Sequence, residues 1–322
     1  MTRMILLRAL TVVLWLLAVP CLGWAVVRLF GLERGFPVVQ LMAFTPYVAA
    51  AAVVVAAVAL VTRRWGAGAV AVVAAVVLCA VVVPRAIPDG GRGANGPVLR
   101  VLSANLLAGS GDERAVLDLV RHLKVDVLAL QEFTPGDAAG LVQAGVNDVL
   151  PYQALYPQDG VTGSALYSRY PLHDTSLRIH GGGFTQARGT VEVPGGPAVH
   201  MESVHPQAPS DRLRMPGWER DLRDQPPATV DGPVRVLMGD FNATLDHVAL
   251  RRLIGTGYRD AASVAGAGFR STWPYDEKWF IPGVTLDRVL ADRRVGVRTA
   301  RPYRIPGSDH KAIFAELVLP AG

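Results

Sequence analysis

A chain of 322 residues that is 51% hydrophobic and only 18% charged is too apolar for a disordered protein, and two cysteines are too few for a disulfide scaffold. Its formal charge of +5 belongs to the first 90 residues, where seven arginines face only Glu33 and Asp89; beyond them 25 basic residues balance 25 acidic ones. That balance argues against a domain that grips a long polyanion through a basic surface.

In chain order, the first predicted elements are apolar stretches at Ala9–Val27, Val38–Val61 and Ala67–Val83, each close to the roughly 20 residues a bilayer-spanning helix needs. Residues 1–84 are therefore expected to form a three-helix transmembrane anchor. Arg34 and Arg63-Arg64 mark its turns, and Trp15, Trp24 and Trp65 suit interfacial positions. A signal peptide competes for the first stretch, because Arg3 and Arg8 precede an apolar core, but no small-x-small cleavage site follows. Pro20 speaks against lipidation of Cys21.

Three spans would place the N-terminus and the C-terminal domain on opposite sides of the membrane. Arg3, Arg8, Arg63 and Arg64 favour the cytoplasm for the N-terminal side, against Arg28, Arg34, Arg85 and Arg92 on the other. The expected localisation is the cell membrane, multi-pass, with an extracytoplasmic domain. Both cysteines, Cys21 and Cys79, lie within the predicted spans, so the rest of the chain tolerates an oxidising compartment. The Gly- and Pro-rich stretch 85–97 reads as a linker that reaches at most roughly 50 Å. It would hold a domain over 98–322, large enough for one substantial core, near the bilayer.

That domain alternates apolar runs with polar punctuation. Leu99–Ser103 ends near Asn105, Val125–Leu130 ends in Gln131-Glu132, and Val199–Val204 ends in His205. Val234–Met238 closes with Gly239-Asp240-Phe241-Asn242, and Ser308-Asp309-His310 precedes the strand pattern of Ala312–Val318. Between the first two runs, Ser110 and Glu113 have capping-box spacing before an apolar stripe of Val116, Leu117, Val120 and Leu123, which predicts a helix. A second helix is expected within Asp211–Asp224. Asp240 and Asn242, two apart, share one face of a strand. A carboxylate there can hold a metal or orient an attacking oxygen, and the amide can donate to a phosphate. If the runs share one sheet, Asn105, Glu132, His205, Asp240, Asn242, Asp309 and His310 converge at the edge where α/β sheets bind ligands. Taken singly each has a duller reading: a turn cap for Asp240, a satisfied loop histidine for His205, a turn start for Asp309.

The series LRVLSANLL, LALQEF, SALYSRYP, VHPQAP, MGDFNA, LDRVLAD and GSDHKA resembles the endonuclease/exonuclease/phosphatase superfamily, in order, from about residue 98 to the C-terminus. The resemblance implies a four-layer α/β sandwich and a metal-dependent phosphoesterase. It implies Glu132, with Asn105 and Asp309, as ligands of Mg²⁺ or Mn²⁺. It also implies that Asp240 orients or deprotonates water, Asn242 holds a phosphate oxygen, and His310 contacts the phosphate or exchanges a proton. Asp287 would fix the tautomer of His310, and His205 would stabilise charge on the phosphoryl oxygens. Arg188 is a secondary candidate for a phosphate contact, because a guanidinium suits bidentate pairing.

Two departures, Ser203-Val204 before His205 and Arg288 after Asp287, bear on substrate choice. The layout upstream resembles the membrane-anchored VanJ-type teicoplanin-resistance proteins. It implies a lipid-linked phosphate as substrate, undecaprenyl pyrophosphate cleaved to the monophosphate, with the membrane and not nucleic acid as partner. Trp279-Phe280-Ile281-Pro282 could meet lipid tails or pack internally. Two rival readings remain: a phospholipid phosphodiesterase of sphingomyelinase type or an extracellular nuclease, and a non-enzymatic membrane binding module.

Overall fold

The computed structural model describes residues 2–89, 94–275 and 280–321. It divides into two compact units, Met1–Pro84 with Leu245–Val248, and Arg85–Thr244 with Ala249–Gly322.

The first unit contains α1 (Thr2–Phe30), α2 (Val38–Met42), α3 (Thr45–Val61) and α4 (Trp65–Val82). The expected single span 38–61 is broken at Ala43–Phe44. A continuous helix would need the backbone N–H of residue 46 to donate to the Met42 carbonyl; Pro46 has none, and the Thr45 hydroxyl donates to that carbonyl instead at 2.7 Å. The 17 residues of α3 are about 25 Å long, short of a hydrocarbon core of roughly 30 Å. Two helices among the described residues, Met4–Phe30 and Trp65–Ala86, are long and apolar enough to cross a membrane; the expected third is not. Ala18, Ala25, Ala49, Ala52, Ala59, Ala71 and Ala74 are buried where the helices meet, and their small side chains let the backbones approach. Leu16, Phe30, Val54 and Val76 stay exposed on apolar outer faces. Leu245–Val248 is held in this unit by buried charge: Arg28 Nε donates to Asp246 Oδ1 at 2.7 Å, and the Glu33 carboxylate accepts the Val248 N–H.

The second unit holds twelve strands in two six-stranded sheets among the described residues. In chain order they are β1 (Val98–Asn105), β2 (Val127–Gln131), β3 (Tyr152–Tyr156), β4 (Ser164–Ser168), β5 (Leu172–Ile179), β6 (Thr185–Glu192), β7 (Ala198–Val204), β8 (Val234–Asp240), β9 (Tyr258–Asp260), β10 (Asp287–Asp292), β11 (Gly296–Arg304) and β12 (Lys311–Val318). The first sheet runs β11-β12-β1-β2-β4-β3 and the second β5-β6-β7-β8-β10-β9. Pairs β1–β2 and β7–β8 are parallel; the other ladders are antiparallel.

Alternation decides which face is buried. Leu99, Val101, Val127 and Ala129 of the first sheet meet Met201, Val236, Met238 and Val289 of the second in a shared core. Leu102, Ala104, Leu128 and Leu130 point the other way, onto α5 (Glu113–His122) and α6 (Pro135–Ala144). The result is the expected α/β sandwich, two sheets face to face with helices outside.

The cap of α5 differs from the expected Ser110/Glu113 box: Asp112 accepts the N–H groups of Arg114 and Ala115, so the helix begins at Glu113, two residues later than a Ser110 cap would start it. A complete capping box, Thr134 with Asp137, instead starts α6. The expected second helix is α7, Met215–Arg223. The stretch expected as a linker is bonded at both ends to the second unit: Gly268 N–H donates to Arg85 O at 3.0 Å, Asp89 pairs with Arg259, and Gly96 N–H donates to Leu319 O at 2.9 Å. Residues 90–93 lie outside the described residues.

Candidate active site

The same alternation that buries the core sets the site. Asn105 follows Leu99 and Val101 by even steps on β1, Gln131 follows Val127 and Ala129 on β2, His205 follows Met201 just past β7, Asp240 follows Val236 and Met238 on β8, and Asp287 precedes Val289 on β10. All therefore face the space between the sheets at one end of the core. Directly beneath, Ser103, Gln131 and Ser203 form a buried bridge between the sheets, with Gln131 Nε2 donating to Ser203 Oγ at 2.8 Å. Gly239 permits the last turn of the approach. A Cβ there would lie 2.0 Å from the carbonyl oxygen of Val204 on the neighbouring parallel strand.

At this end Asn105 Nδ2 donates to Glu132 Oε1 at 2.9 Å and to Asp240 Oδ2 at 3.3 Å, a clamp between two carboxylates. The other Glu132 oxygen accepts the N–H of Ala108 at 2.9 Å. Asp240 Oδ1 accepts the N–H of Asn242 at 2.8 Å, while Asn242 Nδ2 donates to the Pro206 carbonyl at 3.1 Å. Glu132 and Asn242 both sit at positive φ, 54° and 48°, a conformation that side chains adopt at a cost of about 1–3 kcal/mol and that clusters at functional sites. Asp287 Oδ2 lies 2.9 Å from His310 Nδ1, and His310 Nε2 lies 3.7 Å from Asp240 Oδ2.

Electrostatics separate the two histidines. Burial pushes His205 down to about 4 against the pull of Asp240, so its imidazole is neutral at pH 7; its buried Nδ1 has no hydrogen-bond partner among the described residues, and its Nε2 lies 3.8 Å from both Glu132 Oε1 and Asp240 Oδ2. Burial also works against a charged His310, but Asp287 and Asp240 override it and raise His310 to about 10. Desolvation raises the carboxyl groups of Glu132 and Asp240; the Asp240 charge adds to the rise of Glu132, and the Asp287 charge to that of Asp240. One acceptor each from Asp240, Asp287 and His310 lie within 4.8 Å of one another. Buried Oδ1 atoms of Asp287 and Asp309 have no hydrogen-bond partner among the described residues. Crowded, desolvated carboxylates with unspent oxygens fit a hard divalent cation. The tightest ligand cluster is not the set the resemblance implies: Glu132 is joined to it through Asn105, whose amide is already shared between carboxylates.

The endonuclease/exonuclease/phosphatase family model matches residues 102–310. The chain belongs to that family. Its members are phosphoesterases and nucleases, hydrolases that generally use divalent metal ions. Solved structures share the fold at low identity. An endonuclease/exonuclease/phosphatase from Beutenbergia cavernae is 19% identical over 69% of this chain and 72% of its own, with a TM-score of 0.55. TDP2 from Caenorhabditis elegans is 20% identical over 71% and 78%, with a TM-score of 0.55. D. rerio TDP2, complexed with a single-strand DNA product, is 17% identical over 68% and 98%, with a TM-score of 0.53. A search of curated protein sequences gives no match.

Of the residues singled out in the sequence, Asn105, Glu132, His205, Asp240, Asn242, Asp287, Asp309 and His310 are joined to one another at this end of the sandwich by the contacts above and by Asp309 Oδ1, 3.9 Å from His310 Nε2. Arg188 is not. It alternates with Ala187 and so lies on the outer face of the second sheet, where its Nε donates to Ser176 Oγ at 2.7 Å. Gln186, on the same outer face, supports His205 only through its backbone, accepting that N–H at 3.2 Å.

Sequence reasoning missed the supports. Thr272 Oγ1 accepts the N–H groups of Leu286 and Asp287, and Ser308 Oγ donates to the Asn105 carbonyl at 2.8 Å while accepting the His310 N–H. Trp273 Nε1 donates to Asp309 Oδ2 at 3.1 Å, and Phe184 meets the His205 ring edge-on at 5.0 Å. Only Ser308 carried a signal, as the residue that opens Ser308-Asp309-His310. Trp279 lies outside the described residues; Phe280 is fully exposed.

Proposed function

We propose that this chain is a membrane-anchored, metal-dependent phosphoesterase that hydrolyses a lipid-linked phosphate, with undecaprenyl pyrophosphate cleaved to the monophosphate as its reaction. The observation that carries the hydrolytic reading is Asp240 Oδ2, placed 3.8 Å from His205 Nε2 and 3.7 Å from His310 Nε2, between a neutral imidazole and a protonated one. A base flanked by a neutral donor and an acid is what in-line attack of water on a phosphoryl group uses.

In this reading Asp240 orients the water and accepts its proton. Asn242 and His205 hold the phosphoryl oxygens, and His310, kept protonated by Asp287, donates to the leaving oxygen. Glu132 and Asp309, with Asn105 beside them, would hold Mg²⁺ or Mn²⁺, which when bound neutralises charge on the phosphate. The lipid-linked substrate is supported by the two long apolar helices and by a catalytic part whose 25 basic and 25 acidic residues offer no excess charge for a polynucleotide. The VanJ-type layout supports a role in recycling the cell-wall carrier and in glycopeptide resistance, with the catalytic unit outside the cytoplasm.

The test is inorganic phosphate release from undecaprenyl pyrophosphate by detergent-purified full-length protein, with Mg²⁺ or EDTA. Release that requires metal supports the reading; a folded, metal-loaded sample that releases none overturns it. A second reading, phosphodiesterase or nuclease action, draws on the likeness to TDP2 with its single-strand DNA product. It predicts headgroup or nucleotide release in the same assay.

A further inference from the structure

The strands that carry the catalytic residues have a second face. On β7, Met201 points into the core while His200 and Glu202 point outward; on β8, Val236 points inward and Arg235 outward; on β6, Ala187 and Val191 point inward, Arg188 and Thr190 outward. Register aligns these outward side chains in rows. Ser176, Arg188 and Glu202 are successive cross-strand partners, and so are Thr190, His200 and Arg235. They line a cavity of about 220 Å³.

We propose that this outer groove is a binding site for a phosphate-type oxyanion, separate from the catalytic centre and on the opposite face of the same strands. Arg188 and Arg235 stand on β6 and β8, two strand spacings apart across β7 and two residues apart along it, roughly 12 Å between backbones, a distance two arginine side chains can close around one anion. The charges in the groove decide its sign. Arg178 is spent on Glu202, with Nε to Oε1 at 2.6 Å, and Gln186 Nε2 also donates to Glu202 at 2.7 Å. Arg235 has no hydrogen-bond or ion-pair partner among the described residues, and Arg188 uses only its Nε, on Ser176. Asp174, exposed at the irregular step between His173 and Ser176 on β5, is the one lining carboxylate left to oppose them. Two guanidiniums with unspent donors against one rim carboxylate leave the groove positive.

The donors outnumber what a carboxylate's two oxygens use. The free Nη groups of Arg188, the whole guanidinium of Arg235, the Thr190 hydroxyl and His200 suit a tetrahedral group with three or four oxygens. Burial and Arg235 lower the pKa of His200, so it meets the anion as a neutral donor. The same chemistry is offered by free phosphate and by the headgroup phosphate of an anionic phospholipid.

The experiment is calorimetric titration of detergent-purified full-length Asp240→Ala protein in EDTA, with inorganic phosphate in one arm and dioctanoyl phosphatidylglycerol in the other. The Asp240→Ala background and EDTA weaken any contribution from the catalytic centre. Saturable binding in either arm that weakens tenfold or more in Arg235→Gln, and again in Arg188→Gln, supports the site, and the arm that responds names the source of the phosphate. Binding in neither arm, or binding unaffected by both substitutions, overturns it. Arg235→Gln in the otherwise unaltered chain should keep its melting temperature and its turnover of a soluble phosphoester. If that variant does not fold, Arg188→Gln alone carries the same comparison.

Discussion

Asp240 divides its oxygens between two tasks: Oδ1 is fixed by the Asn242 N–H, and Oδ2 alone faces Asn105 and His310. Asp240→Ala should therefore lower kcat by about 10²–10⁴-fold with little change in melting temperature; full turnover in the variant would remove Asp240 from the chemistry. His310 gives the pH dependence. Its pKa rises from the usual 6.5 to about 10 on folding, so its stabilising contribution is complete below about 6.5 and is lost as pH climbs through about 10. In EDTA, the melting temperature of the unaltered protein should fall over that window more steeply than that of His310→Gln. Parallel curves would show that His310 is not held as an imidazolium. Glu132 gives the metal test: Mg²⁺ should raise the melting temperature, and Glu132→Gln should lose most of that increment. The residues legible in the sequence were those whose chemistry is rare at a strand end, such as Glu132 and Asp240. Thr272 and Trp273 were not, because a hydroxyl or an indole acquires its role only from the backbone N–H or carboxylate that tertiary folding brings to it.

Among the elements, the strands were legible because their apolar alternation is strong and each ends in a polar residue. What alternation leaves open is which of two faces a residue takes once both are part-buried. Arg188 was misplaced for that reason: Gln186-Ala187-Arg188 reads as a motif, yet only the neighbouring sheet reveals that Ala187 faces the core. The α5 cap was missed by two residues because Ser110, Asp112 and Glu113 all have capping chemistry. Asp112→Ala should destabilise the protein by about 1 kcal/mol in urea unfolding, and Ser110→Ala by much less. The reverse order would restore the Ser110 cap. The break between α2 and α3 was in principle readable from Thr45-Pro46, but hydropathy alone runs straight through it.

At the scale of the whole molecule, the apolar unit and the sandwich unit make different demands on an assay. If the substrate is lipid-linked and met in the plane of a membrane, adding detergent at fixed enzyme and fixed lipid should reduce turnover by diluting the lipid within micelles, while turnover of a soluble phosphoester stays level. Equal responses would place the substrate in solution. The second sheet adds a constraint of its own within the second unit. On β7 and β8 the side chains that face inward end in His205 and Asp240, and those between them present His200 and Arg235 to the outside. A slip of one residue between this sheet and the core would exchange the two sets, turning arginine into the apolar interior and the Asp240 carboxylate out to solvent. The close contact at Gly239, where any side chain would collide with Val204, thus acts as a pawl: it holds the pair Val204 and Gly239 in step, and with it the identity of both faces.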